Sequence, residues 1–243
     1  MTTRAQFLGR VRAEMAKTRG LVPAVATRRP ADPLEAASLV RRQLAERWPQ
    51  ALDRFKEELE RVSGVFYRVR SLDDIAGVVG RIAREREARR VVQWSAAALG
   101  WDPAPGLARE GLETAAMPHR LVGTEEALRL REITAGAEIG VTGVDLAVAE
   151  TGSLVVFSGV GKPRSTSLLP PFHVAVFGKG ALVETLEQAG VIFEALHQDP
   201  ERNFSGASIT FISGPSRTAD IELTLTQGVH GPKEVHAIFV ESL

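Results

Sequence analysis

GVTGVDLAVAETGSLVVFSGVG, residues 140–161, is the stretch on which the reading of the fold turns. Two apolar runs, Leu146–Ala149 and Leu154–Phe157, close around Glu150-Thr-Gly-Ser. Runs this short and this apolar, joined by Thr151-Gly152, read as a buried β-hairpin whose turn uses glycine for a positive φ. Such a turn does not require the acidic Glu150 at its mouth, nor Gly140 and Gly143 just upstream. Glu150 is therefore either a solvated turn carboxylate or a group at a sheet end that serves as base or nucleophile.

Outward from the hairpin, short strands alternate with helices. Upstream, Ile139–Thr142 reads as a strand, Thr124-Glu-Glu as the cap of a helix to about Ile133, and Val91–Trp94 as another strand. Residues 95–123 carry no clear period. Ile75, Val78, Val79 and Ile82 mark the buried face of a helix, with Ser71 as N-cap and Asp74 three residues on. Gly64 ends a preceding element and Val65–Val69 reads as a strand. From Leu34 to Val62 apolar residues recur every three or four positions, a long helix that Pro49 would kink or split.

Downstream lie a Gly-Lys-Pro-Arg loop, a strand at His173–Phe177, and a helix over about 180–197 with Leu182, Leu186 and Ile192–Phe193 inward. Strands at Ser208–Ile212, Leu223–Leu225 and Val235–Val240 follow. This alternation predicts an α/β domain with a covered, largely parallel sheet, made mixed by the hairpin and the strand-rich end. Phe7, Leu8, Val11 and Met15 share one face of a short helix, and Pro23, Pro30 and Pro33 mark a linker after it. The predicted organisation is an arm over 1–33 and a domain over 34–243, whose helical lead-in is 34–62.

Composition narrows the function. The 243 residues are 44% hydrophobic and 25% charged, typical of a globular protein, with no apolar run near the ~20 residues of a membrane span. The N-terminus lacks the apolar core of a secretory signal, so the expected location is cytoplasmic. Cysteine is absent, which excludes disulfides and cysteine-ligated clusters within this chain. Residues 1–62 carry 13 basic and 8 acidic groups, and residues 136–243 carry 6 and 12. The basic excess is too diluted to predict a nucleic-acid partner.

Four bends carry chemistry. Gly140-Val-Thr-Gly143 fits neither a dinucleotide fingerprint nor a P-loop, but it lets backbone lie close to a neighbour or ligand. Gly161-Lys-Pro-Arg-Ser-Thr-Ser167 sets Lys162 and Arg164, two of six cations in the last 108 residues, beside three hydroxyls. That suits a carboxylate or phosphate, or simply a polar surface loop. Ser213-Gly-Pro-Ser-Arg-Thr-Ala-Asp-Ile-Glu222 offers Ser216 or Thr218 as caps of a short helix facing an anion, with Arg217 for charge and Asp220 to orient it. Gly228-Val-His230-Gly-Pro232 is a tight turn. No histidine pair has helical ligand spacing and no Gly-x-Ser-x-Gly occurs, so neither a metal site nor a serine hydrolase is predicted.

In this order, GVTGVDLAVAETGSLVV, the Arg164–Pro170 loop with His173, SGPSRTADIE and GVHGP resemble the LUD domain family, of the lactate-utilisation protein C type. The resemblance implies a three-layer α/β/α fold similar to sugar-phosphate isomerases and CoA transferases. It further implies a role in oxidising L-lactate to pyruvate as a non-cluster subunit, the iron–sulfur clusters residing on partner subunits. Along these bends the ligand-binding candidates are Thr142, Gly143, Asp145, Thr151, Gly152, Arg164, Ser167, His173, Gly214, Ser216, Arg217, Thr218, Asp220 and His230, holding a small anionic metabolite or a partner. Glu150 is the catalytic candidate. It stands in a Glu-Thr-Gly like that of CoA transferases, whose glutamate attacks an acyl-CoA, so a stand-alone acyl-CoA or sugar-phosphate enzyme is the alternative. Either reading requires the bends to share one rim of the sheet.

Overall fold

The computed structural model describes residues 3–17, 30–120, 123–198, 208–219 and 225–243. The chain forms two units, Met1–Asp32 and Pro33–Leu243. In the first, α1 (Arg4–Lys17) buries none of its residues. The linker segment 18–29 lies outside the described residues.

In the second unit, α2 (Pro33–Arg61) leads to β1 (Val65–Val69) and, through a 3₁₀ turn at Leu72–Asp74, to α3 (Ile75–Glu85). Then come β2 (Arg90–Gln93), α4 (Ala96–Leu99), α5 (Ala104–Arg109), β3 (Glu113–Ala116), α6 (Thr124–Gly136) and β4 (Ile139–Gly143). The hairpin is β5 (Leu146–Val148) and β6 (Ser153–Ser158), followed by α7 (Ser165–Leu168), β7 (Phe172–Gly178), β8 (Leu182–Val183) and α8 (Leu186–Gln198). The chain closes with β9 (Ser208–Ile212), β10 (Arg217–Ala219), β11 (Leu225–Gln227) and β12 (Glu234–Val240).

Both strand orientations are present, and they are segregated. Six strands in the order β1-β12-β7-β4-β2-β3 pair in parallel throughout. The hairpin belongs to a separate four-stranded sheet, β8-β5-β6-β9, in which only β8 and β5 run parallel. Strands β10 and β11 form an antiparallel ribbon.

A parallel sheet must be covered on both faces, and alternate residues show how. Val174 and Val176 of β7 and Ile238 and Val240 of β12 pack with Ile75, Val79 and Ile82 of α3. Their neighbours Ala175, Phe177, Ala237 and Phe239 face the other way, into a core shared with α2, α8 and the hairpin sheet. There the Phe177 ring meets Phe55 at 5.2 Å and Phe239 at 5.6 Å, both edge-on. Trp48 stacks on Phe239 at 5.7 Å. The stripe Val40, Leu44, Leu52, Phe55 and Leu59 keeps α2 a single element through Pro49, whose ring is exposed.

Several expectations change. Residues 182–183 are strand, not helix, and α8 starts later: Thr185 Oγ1 accepts from Gln188 N (3.2 Å) and Gln188 Oε1 from Glu184 N (2.7 Å). This reciprocal cap leaves Leu186 on the outside, 46% exposed. Thr124 is the first residue of α6 and makes no cap; Gly123, at φ +91°, precedes it. α2 ends just before Gly64, whose N donates to Leu59 O (2.8 Å), with Ser63 in the left-handed region at φ +67°. Residues 217–219 form β10 and not a short helix, so Ser216 and Thr218 cap nothing there. The expected strand at Leu223–Leu225 lies largely outside the described residues; β11 begins at Leu225. The unpatterned 95–123 contains α4, α5 and the edge strand β3.

Two histidines sit inside the parallel sheet. His173 is fully buried and shares a 2.9 Å hydrogen bond between Nε2 and Thr142 Oγ1, while Nδ1 has no partner. An orphaned lone pair costs less than an orphaned N–H, which assigns the proton to Nε2 as donor. Burial, with a smaller contribution from His236, holds the His173 pKa down to about 3. Burial also lowers that of His236, against the opposing pull of Glu234.

Two outcomes follow. Gly152 has φ +60°, and a Cβ there would overlap the backbone of Glu58 and Leu59 at the end of α2. Gly152→Ala should cost about 2–4 kcal/mol, read as a melting midpoint several degrees lower; an unchanged midpoint would show that α2 does not press on this turn. In the unfolded chain the histidines take up protons below about pH 6.5, whereas folded His173 stays neutral. Stability should therefore be full above about pH 6.5 and fall as pH drops toward 3, by up to about 1.4 kcal/mol per pH unit from His173. His173→Gln should flatten that slope in urea titrations; an identical slope would show that His173 ionises in the fold.

Candidate functional site

Connections in the parallel sheet run in opposite directions from its middle. β2 leads outward to β3 at one edge, while its neighbour β4 leads toward β7 on the other side. Such a switch point opens a crevice at the carboxyl ends of the two strands, where open α/β sheets hold ligands. Here the chain leaves β2 through Trp94 and Ser95, and leaves β4 through Gly143, Val144 and Asp145.

The loop after β6 fills the mouth of this crevice. Gly159 and Lys162 bond across it through both backbone pairs (3.1 and 3.0 Å), and Gly161 takes φ +71°. A Cβ on Gly161 would collide with Ser95 Oγ, so glycine is what lets the loop press on the end of β2. Ser95 N donates to Gly161 O (3.1 Å) and Trp94 Nε1 to Pro163 O (3.2 Å). The result is a fixed position for Lys162. Its Nζ donates to Asp145 Oδ1 at 3.0 Å and lies 5.2 Å from the centre of the Trp94 ring. Asp145 Oδ2 accepts Phe157 N at 2.7 Å. The pair is partly buried, so each charge holds the other in place.

Lys162 stands between two hollows. One, of about 600 Å³, is lined by Trp94, Gly143, Asp145, Gly178 and Lys162 at the switch point. The other, of about 900 Å³, lies between α6 and residues 158–165 and is reached by Arg164. Lys162 has remaining N–H donors for a carboxylate or phosphate oxygen, and Asp145 can accept a hydroxyl.

The sequence candidates divide into three places. Gly143, Asp145 and Arg164 line these hollows. Thr142, His173 and Ser167 are buried beneath: Ser167 Oγ donates to Arg164 O (3.0 Å), shaping the loop. Gly140 admits the Thr166 carbonyl where any Cβ would overlap it.

The other candidates whose positions are described lie toward the far end of the hairpin. Glu150 lies five positions beyond Asp145, about 16 Å of extended chain. There Gly152 and Gly214 both seat on the end of α2, and Arg217 donates to Val62 O (3.2 Å) and to Ser63 Oγ. Thr151 Oγ1 bonds Ser153 Oγ (2.7 Å), which bonds Ser213 Oγ (2.6 Å). Ser216 N donates to Pro232 O (2.9 Å), and His230 is exposed on the adjoining turn. Thr218 lies in β10 and Asp220 outside the described residues. The glycine bends thus do not share one rim.

Glu150 is exposed, and its Oε2 accepts Leu186 N, the first amide of α8, at 2.9 Å. A carboxylate at a helix N-terminus is stabilising, which accounts for an acidic residue at this turn. Sequence reasoning overlooked Trp94, which carried no motif, and grouped Lys162 with its loop without selecting it. It also passed over Tyr67 OH, His236 and Glu234, linked at 3.3 and 3.1 Å, with Arg86 Nε on Glu234 at 2.7 Å.

Comparison with known proteins supplies a family. A Lactate utilization protein C from Halalkalibacterium halodurans is 36% identical over 177 residues, 70% of each chain. One from Exiguobacterium sp. is 40% identical over 113 residues, 46% of this chain and 48% of the relative. The crystal structure of a DUF162 family protein from Deinococcus radiodurans superposes with a TM-score of 0.53 at 20% identity, covering 79% of this chain and 98% of that one, a likeness of fold. Residues 52–240, which include β1 to β12, every residue of the larger hollow and the Asp145–Lys162 pair, match the LUD domain, and the chain belongs to the LUD domain family.

Proposed function

We propose that this chain is the non-cluster subunit of a system oxidising L-lactate to pyruvate, and that it holds the small carboxylate at Lys162. Family membership and relatives named for lactate utilisation support the process. The observation that carries the site is the Asp145–Lys162 pair fixed against Trp94 at the switch point. Lys162 would take the carboxylate, Asp145 the hydroxyl hydrogen, and the apolar wall of Leu99 and Phe177 would exclude water.

Oxidising lactate releases two electrons and two protons. With no cysteine in the sequence, the proposed acceptors are iron–sulfur clusters on partner subunits, for which this chain binds and orients the substrate. The sugar-phosphate isomerase and CoA-transferase likeness belongs to the same reading: their three-layer plan fits a parallel sheet covered on both faces. The acyl-CoA alternative relied on Glu150, whose carboxylate is occupied at α8 and lines neither hollow.

Removing both charges together, as Lys162→Met with Asp145→Asn, avoids leaving one buried charge unpaired. That variant should fold, lose calorimetric binding of lactate and pyruvate, and fail to restore growth on L-lactate to a deletion strain. Full growth of the deletion strain itself, with no co-purification of cluster-bearing subunits, would defeat the reading. Glu150→Gln should retain growth on L-lactate and lower stability by about 0.5–1 kcal/mol, measured by urea unfolding. Loss of growth with unchanged stability would restore Glu150 as a catalytic residue.

A further inference from the structure

The larger hollow is far too roomy for a three-carbon acid. Its volume of about 900 Å³ falls at the upper end of the about 300–1,000 Å³ that sites for drug-sized ligands enclose. Its charge is as one-sided as its size is generous. Arg120, Arg131, Lys162 and Arg164 line it, and among the described residues no aspartate or glutamate does. This occurs in a protein of zero net charge, and beside a C-terminal region with twice as many acids as bases. Elsewhere arginines find carboxylates: Arg84 with Glu110, Arg86 with Glu234, Arg90 with Glu138. Among the described residues, Arg120, Arg131 and Arg164 stand within ion-pair distance of none.

Like charges gathered around a concave space repel one another, and an anion relieves that repulsion. Guanidinium forks favour planar carboxylates and phosphates, which they bind through paired N–H donors. Several such forks around one space suit more than one anionic group. The same lining carries apolar side chains, Met117, Leu130 and Val160, which suit a flat uncharged body. Ser158 and Ser208, their hydroxyls hydrogen-bonded to each other at 2.7 Å, line it as well.

We propose that this hollow binds an organic polyphosphate of nucleoside-diphosphate size, phosphates toward Arg120, Arg131 and Arg164 and the uncharged body against Met117 and Leu130. The site adjoins the lactate crevice through Lys162 but does not depend on it. Occupancy of one hollow would alter the Lys162 side chain shared with the other.

The test is calorimetric titration of the purified chain with ADP, pyrophosphate and adenosine. ADP should bind, and about tenfold or more tightly than either pyrophosphate, which lacks the apolar body, or adenosine, which lacks the charge. Binding should weaken steeply as salt is raised. Arg120→Gln with Arg131→Gln, both exposed side chains, should keep the melting midpoint, weaken ADP by about tenfold or more, and leave lactate binding at Lys162 in place. No ADP binding at millimolar concentration, or equal ADP affinity in the double variant, would overturn the inference. Failure of lactate to bind while ADP binds through these arginines would remove the proposed lactate site alone.

Discussion

A sheet of parallel strands presents two apolar faces, and neither can be left in water. Most of the molecule answers that constraint. One face is covered by α3 and α5, as an ordinary crossover helix layer. The other is covered by α2 together with the hairpin sheet and α8, so a small antiparallel sheet does what helices alone usually do. The aromatic chain Phe55, Phe177, Phe239 and Trp48 joins α2 to the strands beneath.

That cover explains why glycines cluster where they do. Gly152 and Gly214 are the points at which two turns touch the end of α2, with no room for a side chain. Gly140 receives the Thr166 carbonyl, and Gly161 rests on Ser95. Close backbone approach, and not a ligand, is the cause at each of these positions. The same hairpin carries its ends to different parts of the molecule. Asp145 stands at the switch point beside Lys162, while Glu150 stands at the head of α8.

Much of the architecture was legible. Ile75, Val78, Val79 and Ile82 showed their helix face because burial of one side imposes a period, and Leu146–Ala149 with Leu154–Phe157 showed their hairpin because burial of both sides leaves short unbroken apolar runs. Elements of four residues or fewer, such as α4, α7, β3 and β8, leave no room for a period to repeat. Leu182 and Leu186 kept helical spacing across a strand and a cap. The capping bonds of Thr185 Oγ1 to Gln188 N and of Gln188 Oε1 to Glu184 N were the local signal that separates them.

By itself, the sequence determined the class of fold, the family, the absence of cysteine chemistry and the residues able to bind an anion. Those properties depend on side-chain identity and short-range order, both carried along the chain. Which of those residues meet was decided only by tertiary structure. Lys162 and Trp94 are 68 positions apart yet face one another, whereas Glu150 lies five positions from Asp145 and meets the head of a helix instead. An extended strand carries neighbours in sequence apart by about 3.3 Å per residue, and a crossover brings distant ones together.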